Sequence, residues 1–256
     1  MQNTLNKIQR GFSGAAKRYD LFSGLHREIA DKLFLQVVKE HAPSTLLDVG
    51  CGTGYLTVKL KEHFSQSKIT GLDLSPQMLE AARLKQGDIS WVLGDANDLP
   101  FSDESFDVLI SNLAYQWAGD LSRAFSEARR VLVPGGILTG TLFGFHTCQE
   151  LFQSLVEAKS QSLQFTRLPD ESQVLEALTA SGFKNPKVDV EPITVEFKDM
   201  HELIAWLKSI GANNLSREGF LGPEAMTRAA DIYQKKFAFL QGVGATFEVI
   251  RVYAKK

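Results

Sequence analysis

The segment Leu46-Leu-Asp-Val-Gly-Cys-Gly-Thr-Gly-Tyr55 constrains this chain more than any other part of it. An apolar run that stops at three closely spaced glycines reads as a buried strand turning into a helix, with backbone bare enough for a ligand to touch. A dinucleotide fingerprint asks for G-x-G-x-x-G/A. Here the position three after Gly52 is Tyr55, and the glycines fall at Gly50, Gly52 and Gly54. A pyrophosphate needs a helix N-terminus beneath it; this turn suits a ligand without one.

Three more features follow at the ends of three more strands. Asp73 closes Ile69-Thr-Gly-Leu-Asp73, where a carboxylate can accept both hydroxyls of a ribose. Ser75 and Pro76 behind it start a helix, Ser75 as its cap. Asp95, in Gly94-Asp-Ala96, can accept from an adenine amino group, and Phe106-Asp-Val-Leu-Ile-Ser-Asn-Leu113 brings Asn112 to the end of a fourth strand. Ligands of open α/β sheets bind at that carboxyl edge. Helical patterns at 24–41, 55–64, 76–84 and 121–131 alternate with strands at 45–50, 69–73, 90–94, 106–111 and 137–143. That rhythm predicts a parallel sheet covered on both faces. Together these features predict a site for S-adenosyl-L-methionine, an adenosine with an amino-acid tail and no phosphate. Asp73 would hold the ribose, and the turn of Gly50, Gly52 and Gly54 would lie beneath the tail.

Beyond Phe143 the rhythm changes to helices at 149–163 and 170–181, a strand at 187–197, helices at 200–210 and 223–239, and a strand at 245–254. The expected fold is one Rossmann-like α/β domain over 1–256 with a mostly parallel seven-stranded sheet. It carries a helical segment at 1–42 and a helical insertion at 199–244 before the last strand, expected to act as a lid. A formal net charge of −2 gives no pull towards nucleic acid or an anionic membrane. No apolar run approaches the roughly 18 residues that span a bilayer, and the polar opening lacks a secretory signal. Two cysteines, Cys51 and Cys148, are too few for a disulfide framework or a zinc cluster, so a cytoplasmic setting is expected.

The sequence resembles class I methyltransferases generally and, more closely, the malonyl-acyl-carrier-protein O-methyltransferases of biotin synthesis. The resemblance covers nearly the whole chain. It is carried by Phe12-Ser-Gly-Ala-Ala-Lys-Arg-Tyr-Asp20, Ser111-Asn-Leu-Ala-Tyr-Gln-Trp117, Phe143-Gly-Phe-His-Thr-Cys-Gln-Glu-Leu151, Leu207-Lys-Ser-Ile-Gly-Ala-Asn213 and Ala245-Thr-Phe-Glu-Val249. It departs from the family pattern at His26, Asn213 and the pair Phe247-Glu248. The resemblance implies further cofactor contacts from Tyr19, His26, Leu74, Met78, Ala96 and Leu113, and a methyl-transfer pocket walled by Tyr115, Gln116 and Trp117. It also implies a malonyl-bearing acyl carrier protein as partner.

A carboxylate nucleophile is ionised at neutral pH and needs no base. This agrees with a sequence in which no Ser-His-Asp or Cys-His arrangement and no metal-ligand cluster is evident; catalysis would come from positioning. A malonyl carboxylate needs orienting, and Arg167 and Lys208 are the candidate cations. Alternatives are a methyltransferase for another small acid or a quinone precursor, and a cofactor-binding assembly factor without catalysis. A nucleic-acid methyltransferase is disfavoured, because Ser111-Asn-Leu-Ala114 is not the N/D-P-P-Y/F pattern. Charge is uneven: residues 1–40 carry seven Lys/Arg against four Asp/Glu, and residues 208–256 carry eight against four. An acidic carrier could therefore dock on cations such as Arg10, Lys17, Arg18, Arg217, Arg228, Lys235 and Lys236.

Overall fold

The strand–helix rhythm resolves into five parallel strands: β1 (Thr45–Val49), β2 (Lys68–Asp73), β3 (Ser90–Leu93), β4 (Phe106–Asn112) and β5 (Leu132–Phe143). The computed structural model describes residues 2–85, 88–159, 164–165, 167–212, 216–218 and 222–256. The remaining strands are β6 (Gln164–Phe165), β7 (Lys184–Phe197), β8 (Ser216–Glu218), β9 (Ala238–Phe239) and β10 (Gly242–Lys255). The main sheet runs β3-β2-β1-β4-β5-β10-β7, with β10 antiparallel to both neighbours and the short β9 paired to it. Seven strands therefore form the path, as the sequence implies. The additions are β9 and the separate β6–β8 ribbon.

The helices are α1 (Gln2–Phe22), α2 (Gly24–Glu40), α3 (Tyr55–His63), α4 (Pro76–Arg83), α5 (Leu121–Val131), α6 (Gln149–Lys159), α7 (Glu171–Ala180), α8 (Met200–Ser209) and α9 (Pro223–Lys236). Strand periodicity divides the core. Leu46 packs with Ala30, Leu33 and Val37 of α2 and Leu60 of α3, whereas Leu47 faces Phe125 and Ala128 of α5 and Leu178 of α7. A third cluster joins Phe143, Phe247 and Val249 to α6, α8 and α9. No helix among the described residues is long and apolar enough to cross a membrane.

The N-terminal segment is two helices rather than one, broken at Ser23, and α1 lies along α4 and against α8. Gln9 donates to the Leu74 carbonyl at 2.8 Å, and the Ser13 and Ser75 hydroxyls meet at 2.9 Å. At its other side α1 meets the end of α8. There Gly211 donates to the Lys208 carbonyl and Ala212 to that of Leu207, a Schellman motif. Gly211 has φ +83°, and a β-carbon on it would stand 3.0 Å from Gly11 and Phe12 backbone atoms. Asn213, the next residue, lies outside the described residues.

Gly211→Ala should therefore lower stability by about 1–2 kcal/mol from the left-handed backbone alone. That corresponds to roughly 2–8 °C in Tm, and α1 amides should exchange faster. An unchanged Tm with unchanged exchange in α1 would show that this close approach does not hold the helix.

Candidate active site

The carboxyl ends of β1, β2 and β4 open onto a crevice, the place where ligands of open α/β sheets bind. Gly50, Gly52, Asp73, Leu74, Met78, Asp95, Ala96, Asn112, Leu113 and Trp117 line it, and Ile8, Gln9, Phe12 and Tyr19 of α1 roof it. Gly50 has φ +76°, and a β-carbon there would overlap that of Ala114, so the left-handed turn and its close approach to Ala114 both require glycine. Asp73 is fixed from two directions: its Oδ2 accepts from the Gly52 N–H and its Oδ1 from the Ser75 N–H, both at 2.8 Å. Burial raises its carboxyl above the usual range, against these two bonds. Ser75 in turn caps α4 by accepting from Met78. Asp95 accepts from both nitrogens of Asn97, and Asn112 bridges Thr141 to the His26 carbonyl at the start of α2.

A second, polar crevice of about 430 Å³ adjoins the first beyond Gly50 and Gly52. Its walls carry Asp20, Arg27 and Asp48. Asp48 is 1% exposed, and its Oδ2 accepts from Thr57 at 2.6 Å. Burial, helped by nearby Asp73 and opposed by that bond, pushes its carboxyl up to about 7. The Arg27 guanidinium lies over the Tyr55 ring and pairs with Asp20 at 3.2 Å, while its buried Nε has no partner. One cation beside the buried Asp48 and the partly exposed Asp20 suits a zwitterion.

The third cavity, about 520 Å³, is largely aromatic: Phe12, Tyr19, His26, Trp117, Phe143 and Phe247 line it with Leu207, Ile210 and Ala212 from the insertion. Its polar wall includes two orphans, His26 Nδ1 and Gln116 Oε1, both buried and without a partner. Burial depresses the His26 imidazole to about 4, so it is neutral at physiological pH. Tyr19 lines all three cavities. Burial, with Asp73 and Asp20 close by, keeps its phenol protonated.

Four expected site residues stand elsewhere. The space beside Gly54 is filled by Trp91, 2.6 Å from where a β-carbon would be, so that glycine serves helix–sheet packing. Tyr115 is 1% exposed and packs on Phe125 in the main core, because the short 3-10 turn at 115–117 points it inward. Lys208 is exposed, since its neighbour Leu207 occupies the buried face of α8 and the next residue falls about 100° away. Arg167 is exposed with its guanidinium over Phe145. Among the described residues the aromatic pocket is lined by no lysine or arginine. Sequence reasoning also left out Asp48, Asp20, Arg27 and the α1 residues Ile8, Gln9 and Phe12. Asp48 had a signal: a carboxylate inside an apolar strand is costly unless something uses it.

The three cavities together fit S-adenosyl-L-methionine and an acceptor. An adenosine suits the crevice at Asp73 and Asp95, a zwitterionic tail suits Arg27 and Asp48, and the junction at Tyr19 opens on the aromatic pocket. Asp73→Asn should weaken cofactor binding by about 10–100-fold, the worth of a hydrogen bond to a charged group, while the protein stays folded. Wild-type affinity by calorimetry would remove Asp73 from the site. Asp48 makes a separate prediction for the ligand-free protein. Its folded pKa of about 7 exceeds the ordinary 3.8, so its contribution is lost as pH rises from about 4 through about 7, at up to about 1.4 kcal/mol per pH unit. Asp48→Asn should gain stability relative to wild type across that window; a flat difference would mean that Asp48 ionises freely.

Known proteins bear directly on this geometry. A methyltransferase-domain family pattern matches residues 47–139. The malonyl-[acyl-carrier protein] O-methyltransferase of Halorhodospira halophila is 34% identical over 96% of this chain and 86% of its own length. The YcgJ protein of Bacillus subtilis shares the fold at a TM-score of 0.65 and 15% identity, over 90% of this chain and 98% of that one. Phosphoethanolamine N-methyltransferase 2 of Haemonchus contortus, solved with S-adenosyl-L-methionine, does so at 0.59 and 20%, over 93% of this chain and 56% of its own. Identity across nearly the full length, insertion included, carries the assignment: the chain belongs to the malonyl-[acyl-carrier protein] O-methyltransferase family.

Proposed function

We propose that the chain methylates the free carboxylate of a malonyl thioester borne on acyl carrier protein, an early step of biotin synthesis, with S-adenosyl-L-methionine as methyl donor. The observation that carries this reading is the meeting of the three cavities at Tyr19. When bound, the donor supplies a methyl group on a sulfonium, open to in-line displacement by a carboxylate oxygen. Asp73 and Asp95 hold the adenosine end, and the Gly50–Gly52 turn, with Arg27 and Asp48, the amino-acid end. Tyr19, with Phe12 and Trp117 in edge-to-face contact across 5.8 Å, closes the junction against water, so that attack occurs in a dry, fixed geometry.

The acceptor end depends on neutral donors. His26, through Nδ1–H in the appropriate tautomer, donates to the substrate carboxylate, and the protonated Tyr19 phenol is a second donor. Gln116 Nε2 is committed to the Leu113 carbonyl at 2.8 Å, which leaves its Oε1 to accept an N–H from the amide arm of the thioester. None of these groups takes a proton from the substrate, because a carboxylate has none to lose.

Two measurements test this. Mass spectrometry of products from malonyl-carrier, acetyl-carrier and free malonate should show a methyl ester on malonyl-carrier and no transfer to acetyl-carrier; methyl on carbon, or no transfer to malonyl-carrier, contradicts the reading. His26→Leu should raise KM for the malonyl thioester about 10–100-fold with a far smaller change in cofactor affinity. Equal losses for both ligands would place His26 at the cofactor.

A further inference from the structure

The outer face of α1 is the largest feature that the site leaves unexplained. The helix buries Ile8, Ala15 and Ala16 and turns Gln9, Phe12 and Tyr19 to the cavities. Its exposed residues are Asn6, Lys7, Arg10, Gly14, Lys17, Arg18 and Leu21. Positions 7, 10, 14, 17 and 21 fall on one stripe, with the spacing of a single helix face. Four of the seven are cations and none is a carboxylate; Asp20 points inward to Lys85 and Arg27. From Lys7 to Arg18 the stripe runs roughly 16 Å at 1.5 Å per residue.

These cations differ from many others in the protein, although Lys208 and Lys235 likewise form no ion pair among the described residues. Lys32, Lys59, Lys61, Lys85, Arg130, Lys236 and Arg251 each pair with a carboxylate, whereas Lys7, Arg10, Lys17 and Arg18 form no ion pair among the described residues. Four like charges along one face repel one another, a cost that an anionic partner would remove. Leu21, at the end of the stripe, is 79% exposed, so the face also offers an apolar contact beside its charges. Anything docked there sits one helix diameter, about 10 Å, from the cavities that the same helix roofs.

We propose that this face is where the acidic acyl carrier protein docks, its anionic helix along Lys7, Arg10, Lys17 and Arg18, while its acyl arm passes around α1 into the aromatic pocket. The proposal rests on the reaction given above. It moves the docking surface away from the Lys235 and Lys236 pair: Lys236 is held by Glu157 at 2.6 Å, and Arg228 by the Ala158 carbonyl. The side chain of Arg217 lies outside the described residues.

The test uses Arg10→Glu/Lys17→Glu, with Arg10→Gln/Lys17→Gln as a milder variant in case reversal disturbs the helix. Carrier binding is read by fluorescence anisotropy of labelled malonyl-carrier, and turnover on malonyl-carrier and on malonyl-pantetheine, which has no protein part. Both variants should bind the carrier more weakly and lose about tenfold or more in kcat/KM for it, a size expected of steering charges. They should stay within about twofold on malonyl-pantetheine, and the salt dependence of the carrier reaction should flatten. Lys235→Glu should change neither. If wild type binds the carrier and the variants do not, but no methyl is transferred, the reaction is wrong and the docking face stands. Equal losses on both substrates, unchanged carrier binding, or a greater effect of Lys235→Glu would overturn the docking proposal. So would binding of wild type, but not the variants, to phosphatidylglycerol-containing vesicles with carrier binding unaffected, which would make the stripe a lipid-facing surface.

Discussion

Two backbone N–H groups from different turns end on one half-buried carboxylate, and the site is organised around it. Asp73 takes the Gly52 N–H from the turn after β1 and the Ser75 N–H from the start of α4. Ser75 then caps α4 and touches Ser13 of α1. The glycine turn, the second strand and the roofing helix are thus fixed relative to one side chain. Desolvation raises the pKa of this carboxylate, and its charge in turn helps to raise that of the buried Asp48 nearby. A ligand with hydroxyl donors for one and an ammonium for the other would relieve both.

Much of this was legible in the sequence, for identifiable reasons. Gly50, Gly52, Asp73, Asp95 and Asn112 sit at strand ends, where a period-two apolar run stops and only the chemistry of the next residue remains to be read. What was not legible depends on helix rotation and long-range packing. Lys208 and Leu207 are adjacent in sequence but point to different environments, because the apolar face of α8 set by Met200, Leu203 and Leu207 turns the next residue outward. Tyr115 lies next to two pocket residues yet fills the core against Phe125. The insertion at 199–244 was expected to lie over the substrate, and it supplies Leu207, Ile210 and Ala212 to the aromatic pocket, while α1 covers the cofactor crevice.

The aromatic pocket recasts how a small substrate with a single free carboxylate could be held. A lysine or arginine in a dry pocket would attract a carboxylate strongly, but it would also stabilise the attacking anion and lower its nucleophilicity. Neutral donors such as the His26 imidazole and the Tyr19 phenol orient the same group with less loss of reactivity. The arrangement then relies on desolvation and alignment rather than charge.

The central claim is that methyl transfer occurs where the three cavities meet. The direct measurement is a set of nuclear Overhauser contacts from the 13C-labelled sulfonium methyl of bound S-adenosyl-L-methionine. The account predicts contacts to ring protons of Tyr19 and side-chain protons of Leu113, which with Phe12 and Trp117 are shared between the cofactor crevice and the aromatic pocket. Contacts confined to Met78 and Leu74, on the far side of the cofactor crevice, with none to Tyr19, would contradict it.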